Sequence, residues 1–137
     1  MGDATRYVTM EESMPEDSNL IKIVEEYLDA FTKRDLVKCV GFYKDDATIN
    51  FQVGVFTGRD AIEEWHRERF AADMTVVQID EQSARGNKAV VKGVITSTKL
   101  RSWKINRLAG KVTFQFDQDK FREVKFAARI YNPLEGW

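Results

Sequence analysis

Reactive side chains are scarce in this sequence, which has one cysteine (Cys39) and one histidine (His66) among 137 residues. One cysteine excludes an intramolecular disulfide framework and any zinc cluster built from several cysteines. One histidine excludes sites that need two, including the zinc-binding helix motif and the two-histidine iron triad. We therefore expect no metal and no cofactor, and we expect Cys39 to be a buried structural thiol.

An excess of charge of one sign is also missing, because 21 basic residues face 22 acidic ones and the formal net charge is −1. Such a balance gives no general attraction to nucleic acid or to anionic lipid. The sequence also lacks an apolar run long enough for a signal peptide or a membrane span. We expect a cytoplasmic protein that has neither nucleic acid nor a membrane as its partner.

The length and the composition predict one domain with a flexible tail. Hydrophobic residues make up 43% of the chain, which is enough for one core at this length. Residues 1–17 are polar and acidic around Pro15, a composition typical of a flexible tail. Because neither an internal repeat nor a linker follows, we assign residues 18–137 to a single domain.

Helical periodicity dominates the segment after the tail. Residues 18–33 place apolar side chains at helical spacing, with Asp17 or Ser18 as the N-cap. These apolar residues are Leu20, Val24, Tyr27, Leu28 and Phe31. Asp35 can cap a second and shorter helix with a narrow apolar face. That face consists of Leu36, Val40 and Tyr43.

The period then changes from helix to strand and back. Residues 47–52 alternate between apolar and polar side chains, which predicts a half-buried strand, and residues 55–56 form a short return strand. The sequence TGRD at 57–60 resembles a helix-start capping signal. The helix that follows carries one apolar side with a histidine in it, which comprises Ile62, Trp65, His66 and Phe70.

The second half of the chain is rich in strand signals. Four segments alternate or are rich in β-branched residues, and they are separated by turn signals that include 85–87 and 118–120. The predicted strands cover about 74–84, 89–100, 112–117 and 124–130. Helices segregated from antiparallel strands favour an α+β fold in which a curved sheet wraps on the helices.

Three segments carry a resemblance to a known superfamily: EYLDAFTKRDL at 26–36, FYKDDATI at 42–49 and GRDAIEEW at 58–65. In order and spacing, residues 18–133 resemble the nuclear transport factor 2-like superfamily, which includes ketosteroid isomerases and SnoaL-type polyketide cyclases. The resemblance implies a cone-shaped barrel, in which a curved, mainly antiparallel sheet wraps on three helices around a mostly apolar pocket. It also implies a homodimer formed through the sheet.

A ketosteroid isomerase-like site uses a carboxylate base together with two donors to the enolate, a tyrosine and a neutral carboxylic acid. The resemblance places the tyrosine at Tyr27, the base at Phe51 and the acid at Val112. Phenylalanine and valine cannot transfer protons. The alignment therefore excludes steroid isomerisation by that mechanism and leaves one donor in place.

His66 falls where the isomerase pattern often has a second tyrosine, so the resemblance implies a pair of Tyr27 and His66. An imidazole at this position could hydrogen-bond the Tyr27 hydroxyl and act as an acid or a base near neutral pH. We predict these two residues as the catalytic pair. A satisfied core histidine beside a packed tyrosine is the alternative, and it suits the same apolar helix faces.

Two classes of function are compatible with this pattern. In the first, the cone binds a small apolar or aromatic molecule and, if it is an enzyme, isomerises, cyclises or dehydrates it by cofactor-free proton transfer. The predicted lining is Ile49, Phe51, Trp65, Phe70, Val112, Phe114, Phe126 and Ile130. In the second, the chain is a non-enzymatic dimerisation or adaptor module whose functional surface is the outer face of the sheet.

Other motifs are weaker. The acidic pair of Asp45 and Asp46 could bind a cation, although such pairs commonly cap turns. Trp103 lies among basic residues, which suits single-stranded nucleic acid or merely a solvated hairpin edge. The basic residues are Lys99, Arg101, Lys104 and Arg107. Epoxide hydrolases of this fold need an arginine between two aspartates inside the cone, and Arg129 alternates with the predicted lining, which disfavours that chemistry.

Overall fold

The computed structural model describes residues 15–51, 54–105 and 107–130. The helices are α1 (Pro15–Thr32), α2 (Leu36–Gly41), α3 (Arg59–Ala71) and α4 (Thr98–Ser102). The strands are β1 (Tyr43–Phe51), β2 (Gly54–Thr57), β3 (Thr75–Arg85), β4 (Lys88–Thr96), β5 (Leu108–Asp117) and β6 (Lys120–Ile130). Residues 1–14, which form most of the predicted tail, and the end of the chain beyond β6 lie outside the described residues.

The six strands form one curved, unclosed sheet in the order β2-β1-β6-β5-β4-β3. The neighbouring strands are antiparallel except for β1 and β6, which run parallel. The helices α1, α2 and α3 contact strands β1 to β4. The predicted α+β class, with a mainly antiparallel sheet wrapped on N-terminal helices, is confirmed.

Several predicted element boundaries shift. Helix α1 begins at Pro15, so Asp17 and Ser18 lie in its first turn and are not its N-cap. Proline suits a first helical position, because the N–H that it lacks would be unpaired there. The predicted cap of α2 is confirmed, since the Asp35 side chain accepts a hydrogen bond from the Lys38 backbone N–H. Tyr43 was wrongly placed on this helix, because it is the first residue of β1.

Two further predictions about helix ends are corrected. Helix α3 starts at the predicted place, but its N-cap is Gly58, which makes no side-chain cap and has a φ of 94°. The strand predicted over 89–100 ends at Thr96, because the Ser97 side chain accepts a hydrogen bond from the Leu100 N–H and starts α4. The basic segment around Trp103 is therefore a short helix with a following loop, and not a hairpin edge.

The core lies between α1, α3 and the inner face of the sheet. Its fully buried side chains include Val24 from α1, Ile62 from α3, and Ile49 and Val124 from the sheet. Burying one such side chain contributes about 1.5–3 kcal/mol to folding. None of the described helices is long and apolar enough to cross a membrane. The core thus fixes α3 against the inner face of β1 and positions the site described next.

Candidate functional site

Tyr27 and His66, the pair that the resemblance implied, meet inside the core. The Tyr27 hydroxyl oxygen lies 2.8 Å from His66 Nε2, although the residues are 39 positions apart. Tyr27 stands on the buried face of α1 and His66 on the buried face of α3, so the packing of these two helices creates the contact. The exposed fractions of the two residues are 2% and 0%.

A third residue, Tyr43, extends this pair into a chain with a fixed direction. His66 Nδ1 lies 2.7 Å from the Ile62 carbonyl oxygen, which can only accept, so Nδ1 carries the proton. In the neutral ring Nε2 is then the acceptor, and it receives the proton of the Tyr27 hydroxyl. The Tyr43 hydroxyl lies 2.8 Å from that of Tyr27 and donates to it. We call Tyr43, Tyr27 and His66 the hydroxyl–imidazole chain.

Burial keeps all three groups of the hydroxyl–imidazole chain neutral at neutral pH. Burial lowers the pKa of His66 to about 4, and the nearby Arg69 cation also lowers it, while the hydrogen bond to the Ile62 carbonyl opposes the shift. Burial likewise raises the pKa of Tyr27 well above its usual value, and that of Tyr43 as well. A neutral imidazole that accepts a phenol hydrogen bond is therefore the state present at pH 7.

Aromatic rings enclose the hydroxyl–imidazole chain. The ring of Tyr27 has its centroid 5.1 Å from that of Phe121 and 6.0 Å from that of Phe114. Among the described residues, the one buried carboxylate is that of Asp17, which precedes Tyr27 by ten residues on α1, or about 15 Å along the helix axis. Phe51 and Val112 stand at the positions where the resemblance expects carboxylates. The one carboxylate buried in the described part of the chain thus lies far along α1 from this pair.

A second aromatic cluster lies beside the first. The ring centroids of Phe51 and Trp65 are 5.6 Å apart, those of Trp65 and Phe126 are 5.1 Å apart, and those of Phe51 and Phe126 are 5.5 Å apart. We call these three residues the aromatic triangle. Phe51 and Phe126 are partly exposed, whereas Trp65 is fully buried. Trp65 also joins the two clusters, because its ring centroid lies 4.9 Å from that of His66.

The indole of Trp65 has an unpaired donor. Its Nε1 is buried and finds no hydrogen-bond partner among the described residues. The Arg69 guanidinium lies over two rings of the aromatic triangle, with its carbon 4.9 Å from the Phe51 centroid and 5.3 Å from the Trp65 centroid. Buried donors are nearly always satisfied in folded proteins. An unpaired indole N–H beside a covered guanidinium is therefore a place where an acceptor would be stabilised.

The other residues predicted to line the pocket lie at different places in the structure, and one of them adjoins the aromatic triangle. Val112 pairs with Phe126 across β5 and β6, so it adjoins the triangle. Ile49 and Phe114 are fully buried core residues. Phe70 packs on Phe31, with the ring centroids 5.1 Å apart. Ile130 ends β6, and its side chain lies outside the described part of the structure.

The surface clefts formed by the described residues include a larger and a smaller one. The larger has a volume of about 540 Å³ and is lined by Gly41, Tyr43, Lys44, Asp45, Asp46, Arg59 and Lys120. The smaller has a volume of about 290 Å³ and lies on the outer face of the sheet, lined by Asn50, Lys88, Lys111, Thr113, Gln115, Glu123, Lys125, Phe126 and Ala127. Neither is the pocket predicted around Tyr27 and His66, which stays a prediction.

The structure also places the residues of the weaker motifs. Asp45 lies 3.1 Å from Arg59 in an exposed ion pair. Asp46 lines the larger cleft, and the described residues hold no group of three or more potential metal ligands. Trp103 is 60% exposed beside α4. Cys39 is fully buried as predicted, and burial raises the pKa of its thiol to about 12.

Sequence reasoning missed two residues of the site. Tyr43 was predicted on a helix, although it shares one face of β1 with Ala47, Ile49 and Phe51, each an even number of residues away. That alternation was the available signal, and the polar run of residues 44–46 hid it. Arg69 gave no signal, because a long charged side chain on α3 would ordinarily point to solvent.

The sequence profile of the SnoaL-like domain matches residues 24–124, well over half of the chain. Comparison with curated proteins gives no match. Many solved structures share the fold. One is a candidate ketosteroid isomerase from Kribbella flavida, with a TM-score of 0.72 and 18% identity, covering 88% of this chain and 86% of that one.

Two other similar structures have related names. A candidate polyketide cyclase from Sinorhizobium meliloti has a TM-score of 0.68 and 20% identity, covering 77% of this chain and 94% of that one. Another is the epoxide hydrolase/cyclase-like enzyme SalBIII, which has a role in pyran ring formation in the polyether salinomycin. It has a TM-score of 0.72 and 20% identity, covering 82% of this chain and 92% of that one. At these identities the structures share the fold alone. On the profile match, this chain belongs to the SnoaL-like family.

Proposed function

We propose that this protein binds a small, largely apolar molecule that carries a hydrogen-bond acceptor, at the aromatic triangle between β1, β6 and α3. The observation that carries the proposal is the buried Nε1 of Trp65, which has no acceptor among the described residues. The rings of Phe51 and Phe126, both partly exposed, offer apolar surface beside it. Apolar walls with one or two placed polar groups are typical of small-molecule sites.

The energetics favour a ligand with an acceptor. A buried donor without a partner costs about 1–3 kcal/mol. A carbonyl or ether oxygen that reached Trp65 Nε1 would remove that cost, while the rest of the ligand would bury the edges of Phe51 and Phe126. The names of the similar structures, a polyketide cyclase and an enzyme of pyran ring formation among them, agree with an oxygenated organic molecule of this kind.

The experiment is a calorimetric titration with 2-acetonaphthone, a planar apolar ketone. We expect binding by the wild type and a loss of about fivefold in affinity in Trp65→Phe, which keeps an aromatic ring but lacks the indole N–H and its hydrogen bond of about 1 kcal/mol. Trp103→Phe is the matched control, because Trp103 is exposed and lies outside the aromatic triangle. Absence of binding to the wild type, or equal affinity of Trp65→Phe, would contradict the proposal.

Cofactor-free proton transfer is the second candidate function, and the 2.8 Å contact of Tyr27 with His66 favours it. In this function the neutral imidazole Nε2 accepts a proton while the phenol stabilises the oxyanion that forms. A ligand would have to enter the core at either site, since Tyr27, His66 and Trp65 are each at most 2% exposed. The existing hydrogen bonds of Tyr27 and His66 make binding at the aromatic triangle the better supported function.

Enolisation tests this second candidate. We would follow by NMR the exchange of the methyl protons of 2-acetonaphthone for deuterium in heavy water. Proton transfer by the pair requires exchange above the buffer rate in the wild type and its loss in His66→Gln. Exchange at the buffer rate in the wild type, or an unchanged rate in a folded His66→Gln protein, would contradict it.

A further inference from the structure

The Arg69 guanidinium is largely shielded from water and has few negatively charged partners among the described residues. It lies in the last turn of α3, its side chain is 20% exposed, and burial lowers the pKa of its guanidinium. Among the described residues its ion-pair partner is Glu68, at 3.4 Å, and the Glu68 side chain is itself 51% exposed. An ion pair with so exposed a carboxylate contributes little, because water and salt screen it.

Arg34 provides a comparison within the same protein. Its side chain is 29% exposed, which is more than that of Arg69. Nevertheless its guanidinium donates to the carbonyl oxygens of Phe31 and Met74, and also to the carboxylate of Asp73. The more covered arginine is therefore the one with fewer acceptors, which is the reverse of the usual relation between burial and pairing.

The two donors with too few acceptors, Trp65 Nε1 and the Arg69 guanidinium, belong to residues that contact each other. The Arg69 guanidinium carbon is 5.3 Å from the centroid of the Trp65 ring that carries the unpaired Nε1. Since Nε1 belongs to the ring that the guanidinium covers, we infer that one carboxylate can contact both groups, with an oxygen toward each. Guanidinium and carboxylate are planar groups that match in geometry, and a charge-assisted hydrogen bond is about twice as strong as a neutral one.

We propose that the binding site selects ligands whose acceptor is a carboxylate, that is, small aromatic or apolar carboxylic acids in their ionised form. One carboxylate oxygen accepts from the Arg69 guanidinium, the other accepts from Trp65 Nε1, and the apolar body of the ligand packs on Phe51 and Phe126. This inference rests on the proposed function, because it names the ligand class of the same site. An uncharged carbonyl ligand is the competing possibility.

The test compares 2-naphthoate with 2-acetonaphthone, which have the same ring and differ in charge. We expect the wild type to bind 2-naphthoate about tenfold more tightly, and we expect this preference to shrink as salt is added. Arg69→Gln should bring the two affinities together, whereas Arg69→Lys should keep part of the preference as a point charge. Arg67→Gln is the matched control on α3, since Arg67 is 56% exposed and pairs with Glu63 and Glu64.

The outcomes separate this inference from the proposed function. If 2-acetonaphthone binds but 2-naphthoate binds no more tightly, the carboxylate preference is wrong while the binding site stands. The same conclusion follows if a folded Arg69→Gln protein keeps the full preference. If neither compound binds, both proposals are wrong. Thermal unfolding of each variant verifies that the comparison is made on folded protein.

Discussion

The Tyr27 hydroxyl donates its hydrogen bond to His66 Nε2 across 2.8 Å, and this contact joins helix α1 to helix α3. The direction follows from the opposite side of the imidazole, where Nδ1 must donate to the Ile62 carbonyl. Tyr27 is consequently the central member of the chain, since it donates to His66 and accepts from Tyr43. Its loss should disturb two hydrogen bonds, whereas the loss of the Tyr43 hydroxyl should disturb one.

The first prediction concerns the two tyrosines. Tyr27→Phe should lower the free energy of unfolding by about 2–3 kcal/mol, because it leaves both the His66 acceptor and the Tyr43 donor unpaired in the core. Tyr43→Phe should cost about 1 kcal/mol, because it removes one donor and leaves the Tyr27–His66 bond intact. Urea unfolding of both variants measures the difference. Equal losses, or a larger loss in Tyr43→Phe, would contradict the central position of Tyr27 in the chain.

The second prediction concerns pH. The pKa of His66 is about 4 in the folded protein, against 6.5 for an exposed histidine. Between these values the unfolded chain binds a proton that the folded protein does not, so stability should fall as the pH falls from 6.5 to 4. The histidine should account for about 3 kcal/mol of that fall.

The comparison protein for the pH series is His66→Gln, which keeps every other titratable group of the chain, so that the difference between the two proteins isolates the histidine. The wild type should lose more stability than the variant between pH 6.5 and 4. Parallel stability curves of the two proteins would show that His66 is not held neutral by the fold.

The family resemblance suggested the pairing of Tyr27 with His66, whereas the rest of the site could not be predicted. Both residues lie on apolar stripes at helical spacing, and burying two such stripes against one sheet brings them together. Tyr43 was not predicted on β1, because the polar residues 44–46 interrupt the strand alternation. The Arg69 side chain is covered because it lies over the ring of Phe51 at the end of β1. This contact between a helix and a strand is tertiary, and local sequence patterns do not encode it. Helix α4 was not predicted, because its start is set by the single cap Ser97 within a segment whose β-branched residues favour a strand.

The third prediction concerns the pairing of β3 with β4. A Cβ added at Gly93 would collide with the backbone oxygen of Gln78, beside two irregularities in the strand register. Gly93→Ala should therefore lower the free energy of unfolding by about 2 kcal/mol or more, because the strands must separate. Gly110→Ala, whose added Cβ would have its nearest neighbour at 4.0 Å, is the control and should change stability little. Thermal unfolding of both variants gives the comparison.

The fourth prediction concerns the homodimer that the resemblance implied, which would use the outer face of the sheet. Thr113 lies on this face and lines its cleft. If the dimer forms there, Thr113→Arg should convert it to a monomer, because an added cation would stand beside Lys111 and Lys125 at the interface. Val37→Arg is the control, since Val37 is 84% exposed on α2.

Light scattering after size-exclusion chromatography reads out the oligomeric state of all three proteins. A wild type that is monomeric at tens of micromolar, or a dimer that persists in Thr113→Arg, would overturn the prediction. A dimer lost in Thr113→Arg but kept in Val37→Arg would also give the adaptor alternative its first support, because the outer face would then be a working protein surface.

The most direct test of ligand binding at the aromatic triangle is the NMR signal of the Trp65 indole N–H. Replacing Trp103 and Trp137 with phenylalanine leaves Trp65 as the one tryptophan, since the chain has three. On titration with 2-naphthoate, the indole proton of the ¹⁵N-labelled protein should move downfield and exchange more slowly with water, because it gains an acceptor. An indole signal that stays unchanged at saturating 2-naphthoate would contradict binding at this site.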